Sequence, residues 1–195
     1  MATAPTQSGW PDRVRLPLTF DPAPLVADIV ALERGDWTPH FVKQNYEGDW
    51  SALPLRAQAG VTHPIQLIYS APGVTEFVDT AWRARMPGMS VAISAFDCEV
   101  RSVRLMRLAA GSVIKEHEDF ELDVADGYAR IHIPVLTNPQ VDFRLNGERV
   151  TMAPGEAWYL RLADRHSVVN GGETARVHLV LDLVVNDWLL RQLAG

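Results

Sequence analysis

From Val100 onward the chain is a succession of short β-rich segments separated by turn signals, and this rhythm constrains the fold most. The segments are Val100–Leu108, Val113–His117, Ala129–Leu136, Val141–Leu145, Arg149–Met152, Glu156–Leu160, Ser167–Val169 and Arg176–Val185. Ala109-Ala110-Gly111, Pro154-Gly155 and Gly171-Gly172 punctuate them, and Asn146-Gly147 is a strong hairpin signal. Many short strands at regular spacing, without interleaved helices, argue for a sandwich or barrel over a parallel α/β sheet. Upstream, Arg13–Leu18 reads as an edge strand because it carries Pro17. Asp21-Pro22 opens a helix with Leu25, Ile29 and Leu32 on one face and Gly35 as its stop. Short strand-like pieces are expected at 40–42 and 53–56. A second helix is expected over 75–85, with Phe77, Ala81 and Trp82 inward and Met86-Pro87-Gly88 closing it. Residues 1–12 read as a loose leader. No repeat or composition shift marks a second domain, so one domain is expected over 1–195, with 13–100 as a helical and strand layer supporting the barrel.

Composition narrows the function classes. The chain has 195 residues, 47% hydrophobic and 22% charged, ample for a real interior. Its net charge of −6 argues against a general nucleic-acid or anionic-membrane partner, and no apolar run is long enough to span a bilayer. Cys98, the single cysteine, excludes an intrachain disulfide framework and a Cys-rich zinc module, and fits a reducing compartment. Met1–Trp10 lacks the basic-then-apolar layout of a signal peptide, so a cytoplasmic location is expected.

Six histidines remain, and three segments gather them. In His117-Glu118-Asp119, Arg130-Ile131-His132 and Arg176-Val177-His178, polar groups stand two residues apart, hence on one face of a strand. In the last two the alternate positions are apolar: Ile131, Ile133 and Val135, then Val177, Leu179, Leu181 and Leu183. A barrel with a polar lumen would carry such strands. His-x-Asp plus one further His gives a facial triad that leaves coordination positions open, as in non-haem Fe(II) oxygenases, and His166 is the candidate third ligand. The dipeptide alone also reads as a surface His beside a solvated Asp. An oxygen-activating iron needs two electrons besides the substrate's. A 2-keto acid that chelates the iron supplies them, and its far carboxylate needs a cation such as Arg176, ten residues after His166. Arg176 reads equally as the structural partner of Asp164, Glu173 or Asp182.

Over about 101–188 the chain resembles the aspartyl/asparaginyl β-hydroxylase family of Fe(II)- and 2-oxoglutarate-dependent dioxygenases, most closely its small bacterial branch that includes L-proline cis-hydroxylases. The resemblance rests on Gly111 before His117-Glu118-Asp119, on Arg130-Ile131-His132-Ile133-Pro134, on Gly155-Glu156-Ala157-Trp158, on His166-Ser167-Val168, and on Arg176-Val177-His178-Leu179 running into Asp182. It implies a mainly β fold, a double-stranded β-helix or cupin-like jelly roll, with its catalytic core over 101–188. It also implies hydroxylation of an unactivated carbon of an amino acid, amino-acid derivative or peptide side chain, using Fe(II), 2-oxoglutarate and O2 and releasing succinate and CO2. By the same resemblance His117, Asp119 and His166 would hold iron, and Arg176, Arg130 and His132 would contact 2-oxoglutarate. The animal enzyme has Gly where Asp119 stands and a cosubstrate-binding Ser where Met106 stands, so the triad is complete here and the Ser contact is missing.

Substrate contacts are read from the polar, aromatic stretch Asn45–Trp50 and from Leu55-Arg56, with Trp50 as a wall and Arg56 as a carboxylate clamp. Arg104 and Arg107 are further carboxylate candidates, of which one at most can face the lumen. His40 and His63 are expected at the surface, Glu118 toward solvent, and His178 as a hydrogen-bonded core histidine. A different class remains open: a cupin-like barrel that binds metal or a small acid as a sensor or non-oxidative enzyme.

Overall fold

The computed structural model describes residues 9–69, 73–119 and 122–194, so most of the expected leader lies outside the described residues. The strands are β1 Arg13–Thr19, β2 Thr38–Pro39, β3 Tyr46–Glu47, β4 Trp50–Gln58, β5 Phe77–Asp79, β6 Val100–Leu108, β7 Val113–His117, β8 Tyr128–Leu136, β9 Val141–Leu145, β10 Glu148–Arg149, β11 Glu156–Leu160, β12 His166–Asn170 and β13 Arg176–Val184. The helices are α1 Pro22–Val30, α2 Pro64–Ile68, α3 Ala81–Ala84, α4 Pro87–Ser94 and α5 Asp187–Ala194. Two antiparallel sheets face each other. The larger runs β1-β11-β8-β13-β6-β4-β2, with β5 beside β4, and the smaller runs β10-β9-β12-β7-β3. Strands consecutive in the chain alternate between sheets from β6 to β9, the winding of a double-stranded β-helix.

The larger sheet owes its position to the alternation read in β8 and β13. Ala129, Ile131, Ile133 and Val135, with Val177, Leu179, Leu181 and Leu183, are all buried on its outer face. Helices α1, α4 and α5 cover that face through Leu25, Ile29, Met89, Ala92, Ile93, Leu189 and Leu193. The period-2 pattern sends Arg130, His132, Arg176, His178, Val180 and Asp182 the other way, between the sheets. A second apolar cluster, including Trp50, Leu108, Ile114, Phe143, Leu145 and Val168, packs between the sheets beside them.

The strand piece expected at 40–42 lies at Thr38–Pro39 instead, and upstream elements depart from expectation in three further places. Helix α1 starts at its Asp21 cap, whose side chain accepts from the Ala23 amide, but stops at Val30 rather than Gly35. The expected 75–85 helix is divided between β5 and α3, and α4 begins where that helix was to end. Pro87 sits in the first turn of α4, where its missing N–H costs nothing, so it starts a helix here. The third departure concerns residues 13–100, which are more than a supporting layer: β4 lies inside the larger sheet, paired with β6 from Trp50–Leu108 to Arg56–Val103. Helix α5 was not anticipated.

Leu179 lies at the centre of this arrangement, fully buried between β6 and β8 on the helix-covered face. Leu179→Ala should cost about 2–5 kcal/mol in urea unfolding. Val169→Ala, on a 40% exposed position of β12, should stay within about 0.5 kcal/mol. Similar losses at the two positions would contradict the assignment of faces.

Candidate metal centre

His117 ends β7, Asp119 follows two residues later, and His166 opens β12, directly paired with His117 across the smaller sheet. The Asp119 amide donates to the Leu162 carbonyl at 2.8 Å, which anchors the backbone that carries the carboxylate. One ligand atom from each of the three residues lies within 4.8 Å of the others, the spacing of a shared metal ion. The His117 ring contacts the Lys115 carbonyl through Nδ1 at 2.7 Å, and His166 contacts the Asp164 carbonyl in the same way at 2.9 Å. A carbonyl only accepts, so each Nδ1 carries the proton and each Nε2 presents its lone pair, the tautomer a metal requires. His117 Nε2 is 3.7 Å from Asp119 Oδ1. Burial lowers the His166 pKa to about 4, which keeps the ring neutral and available as a ligand at pH 7.

Behind the triad stands a row of buried ions. Asp182 accepts from Arg130 Nε at 2.6 Å and Nη2 at 3.0 Å, from Arg104 Nη2 at 2.7 Å and from Ser102 Oγ at 2.6 Å. Arg130 also donates through Nη1 to Asp119 Oδ2 at 2.7 Å, fixing the carboxylate so that Oδ1 faces His117. Burial pushes the Asp182 carboxyl up, but Arg130 and Arg104 outweigh it and hold the group well below the usual carboxylate range. Burial likewise works against the charge of Arg130, and Asp182 and Asp119 more than restore it. Two guanidiniums and two carboxylates thus neutralise one another.

Arg176 has no such partner. It is 2% exposed, donates through Nη2 to His178 Nδ1 at 2.9 Å, stacks its guanidinium 5.8 Å over Phe143, and leaves Nε without an acceptor. Its side chain forms no ion pair with any described residue, so Asp164, Glu173 and Asp182 are not its counter-ions. Burial alone pushes its pKa down from the ordinary value. Because Arg176 donates, His178 Nδ1 accepts, and His132 Nδ1 lies 3.3 Å from the same atom. His132 Nε2 is buried with no partner among the described residues.

These groups share a cavity of about 710 Å³. It is lined by the triad, Arg130, His132 and Arg176, and by Trp50, which the structure brings together. His178 is the hydrogen-bonded core histidine expected, and Asp182 pairs with Arg104 and Arg130. Glu118 is exposed and reaches Arg165. Two expectations are corrected. Arg56 is not at the cavity: its Nε donates to the Val100 carbonyl and its Nη1 pairs with Asp79, each at 2.9 Å. The register shifts between Pro54 and Arg56, so Arg56 pairs with outward-facing Val103. His40 leaves the surface to line the cavity, stacked on Trp50 with ring centroids 3.5 Å apart, and burial lowers its pKa to about 4. No local sequence signal marks His40, because β2 and β4 bring it in. Arg104, not Arg107, faces the lumen, as its parity with Met106 and Ser102 allows.

Comparison with known proteins identifies the family and the fold. The family profile for aspartyl/asparaginyl β-hydroxylases matches residues 25–185, so the chain belongs to that family. L-proline cis-4-hydroxylase of Rhizobium meliloti (strain 1021) is 27% identical over 166 residues, which cover 84% of this chain and 57% of that protein. The chain therefore spans little more than half the length of that curated relative. In structure it is similar to a Pseudomonas putida prolyl-4-hydroxylase, with a TM-score of 0.53, 11% identity and coverage of 90% of this chain and 93% of the other. A Burkholderia pseudomallei oxidoreductase of the 2OG-Fe(II) oxygenase family gives a TM-score of 0.51 at 16% identity, over 89% and 85%. Both show the jelly-roll fold. No helix among the described residues is long and apolar enough to cross a membrane.

The two kinds of buried arginine should respond oppositely to removal of charge. Asp182→Asn leaves Arg104 and Arg130 under-neutralised and should cost about 3–5 kcal/mol in chemical denaturation. Arg176→Met removes a buried charge that has no counter-ion, and without ligands should leave stability unchanged or raise it. A large loss in Arg176→Met would mean that the cation is structural.

Proposed function

We propose that this protein is an Fe(II)- and 2-oxoglutarate-dependent dioxygenase that hydroxylates an unactivated carbon of an amino acid, amino-acid derivative or peptide side chain, releasing succinate and CO2. The observation that carries this reading is Arg176, a fully buried guanidinium without a carboxylate, in the same cavity as a His-Asp-His donor set. A buried unpaired cation is costly, and a dicarboxylic cosubstrate would repay that cost each time it binds. The donor set fits a non-haem iron: two imidazoles with Nε2 free, one carboxylate, and three positions left for other ligands. Bound iron would supply the activation of O2, with 2-oxoglutarate as the source of the other two electrons.

The chain's own residues do the rest. His117, Asp119 and His166 would hold the metal, each fixed in direction by a partner behind it: the Lys115 carbonyl, Arg130 and the Asp164 carbonyl. Arg176 would take the far carboxylate of 2-oxoglutarate with its planar fork, and His132 and His178 would wall that seat. Phe143, Ile114, Leu162 and Val168 line the adjacent cavity and exclude water, which protects the site from its own oxidant. Trp50, stacked on His40 and 6.3 Å from the His117 ring, would wall the substrate side. The amino-acid substrate class draws on the named activity of the Rhizobium relative, and a cytoplasmic location accords with the cysteine-poor composition.

The test is a panel of free amino acids and short peptides, scored for succinate coupled to hydroxylated product. His166→Ala should reduce both at least 100-fold while its circular dichroism spectrum stays that of the parent. Activity retained in that variant would refute the triad. A metal-loaded, folded parent protein that never consumes 2-oxoglutarate would favour the non-oxidative barrel.

A further inference from the structure

We infer that the substrate is larger than a free amino acid of proline's size and carries a carboxylate, remote from the reacting carbon, that Arg101 binds at the cavity mouth. This rests on the dioxygenase reading above and adds the class of substrate to it.

The first observation is a local irregularity in β6. Leu181 of β13 pairs with Val103 and Leu183 pairs with Val100, so Asp182 faces two residues, Arg101 and Ser102. That is a β-bulge, and its effect is to re-aim a side chain. Regular alternation would send Arg101 outward with Val103 and Leu105. The bulge turns it onto the cavity face together with Ser102, Arg104 and Met106, and Arg101 lines the cavity. Sequence parity alone gives the opposite face.

The second observation is how Arg101 is held. Its guanidinium lies 4.3 Å from the Tyr128 ring and 5.1 Å from the Phe77 ring, and Nη2 donates to the Val74 carbonyl at 2.6 Å. Two aromatic faces and one carbonyl orient the group without neutralising it. Arg101 forms no ion pair with any described residue. Of the four arginines on the cavity wall, Arg104 and Arg130 are neutralised by Asp182 and Asp119, and Arg176 is assigned to 2-oxoglutarate. Arg101 is left over, a pre-oriented fork with donors to spare, which suits a carboxylate.

The third observation is space. Even at the ~30 Å³ that a water molecule occupies in the liquid for each non-hydrogen atom, 2-oxoglutarate and proline together fill about 540 Å³. The cavity offers about 710 Å³. Its mouth also presents Phe41 and Tyr69, edge-to-face at 5.4 Å and 37% and 43% exposed, an apolar wall for the body of a longer substrate. Arg101 stands at the Asp182 end of β13, six residues from Arg176, or about 20 Å along the strand. The two free cations are therefore at opposite ends of the site, one for the cosubstrate and one for the substrate.

The experiment uses the protein with Fe(II) and saturating 2-oxoglutarate under anaerobic conditions. It is titrated with aspartate, glutamate, 2-aminoadipate and 2-aminopimelate, and with the side-chain carboxamide of each. Calorimetry and the visible band of the iron chelate report binding. Affinity should rise with chain length, and the longer acids should bind at least ten-fold tighter than their amides. Arg101→Gln should abolish that preference, Arg101→Lys should keep part of it, and neither should change the affinity for 2-oxoglutarate. A preference that survives Arg101→Gln, equal binding of acids and amides, or no binding by any member would overturn the inference. Failure of the dioxygenase reading is separate, since the chelate band would then be missing before any amino acid is added.

Discussion

Asp182 is the group on which the interior of this barrel depends. Its two oxygens collect Arg130, Arg104 and Ser102, and through Arg130 they extend to Asp119. A lumen holding several guanidiniums would otherwise bear an unopposed desolvation cost of several kcal/mol for each. One carboxylate on β13 removes that cost for two of them and, through Arg130, fixes the direction of the Asp119 carboxylate. The His-Asp-His triad and the ion network are thus a single construction, and a change at Asp182 reaches the triad through Arg130.

Against that background the charges left unpaired acquire meaning. Arg176 is buried and alone at the closed end, and Arg101 is oriented by aromatic rings at the mouth. The protein neutralises Arg104 and Arg130 around Asp182 and leaves Arg176 and Arg101 without a carboxylate among the described residues. A site that takes a dicarboxylic cosubstrate deep inside and an acidic substrate above it would carry this distribution. The net charge of −6 belongs to the outside of the molecule and gives no hint of it.

The β-rich half was legible because each strand there has one apolar and one polar face, and period 2 translates directly into geometry. Strands β6, β7, β9 and β11 have the ends that their sequences suggested. His117, Asp119, His166, Arg130, His132 and Arg176 meet in one cavity because alternation and hairpin spacing leave them little choice. What sequence concealed was set by partners distant in the chain. Pro87 was read as a stop and begins α4, since a proline marks a boundary without saying on which side the helix lies. Register shifts in β4 and β6 carry Arg56 away from its expected place and turn Arg101 from the face that its parity gives, and a bulge leaves no mark on the alternation of either strand alone. His40 reaches the site only because β4 crosses beneath it and Trp50 offers a face to stack on.

The central claim is that Arg176 is kept unpaired to receive the far carboxylate of 2-oxoglutarate. Anaerobic titration of 2-oxoglutarate into the Fe(II)-loaded protein, followed by the visible chelate band, tests it most directly. The parent should reach a one-to-one end point at low concentration, and Arg176→Met should need at least 100-fold more 2-oxoglutarate to develop the same band. Identical titrations of the two proteins would contradict the account.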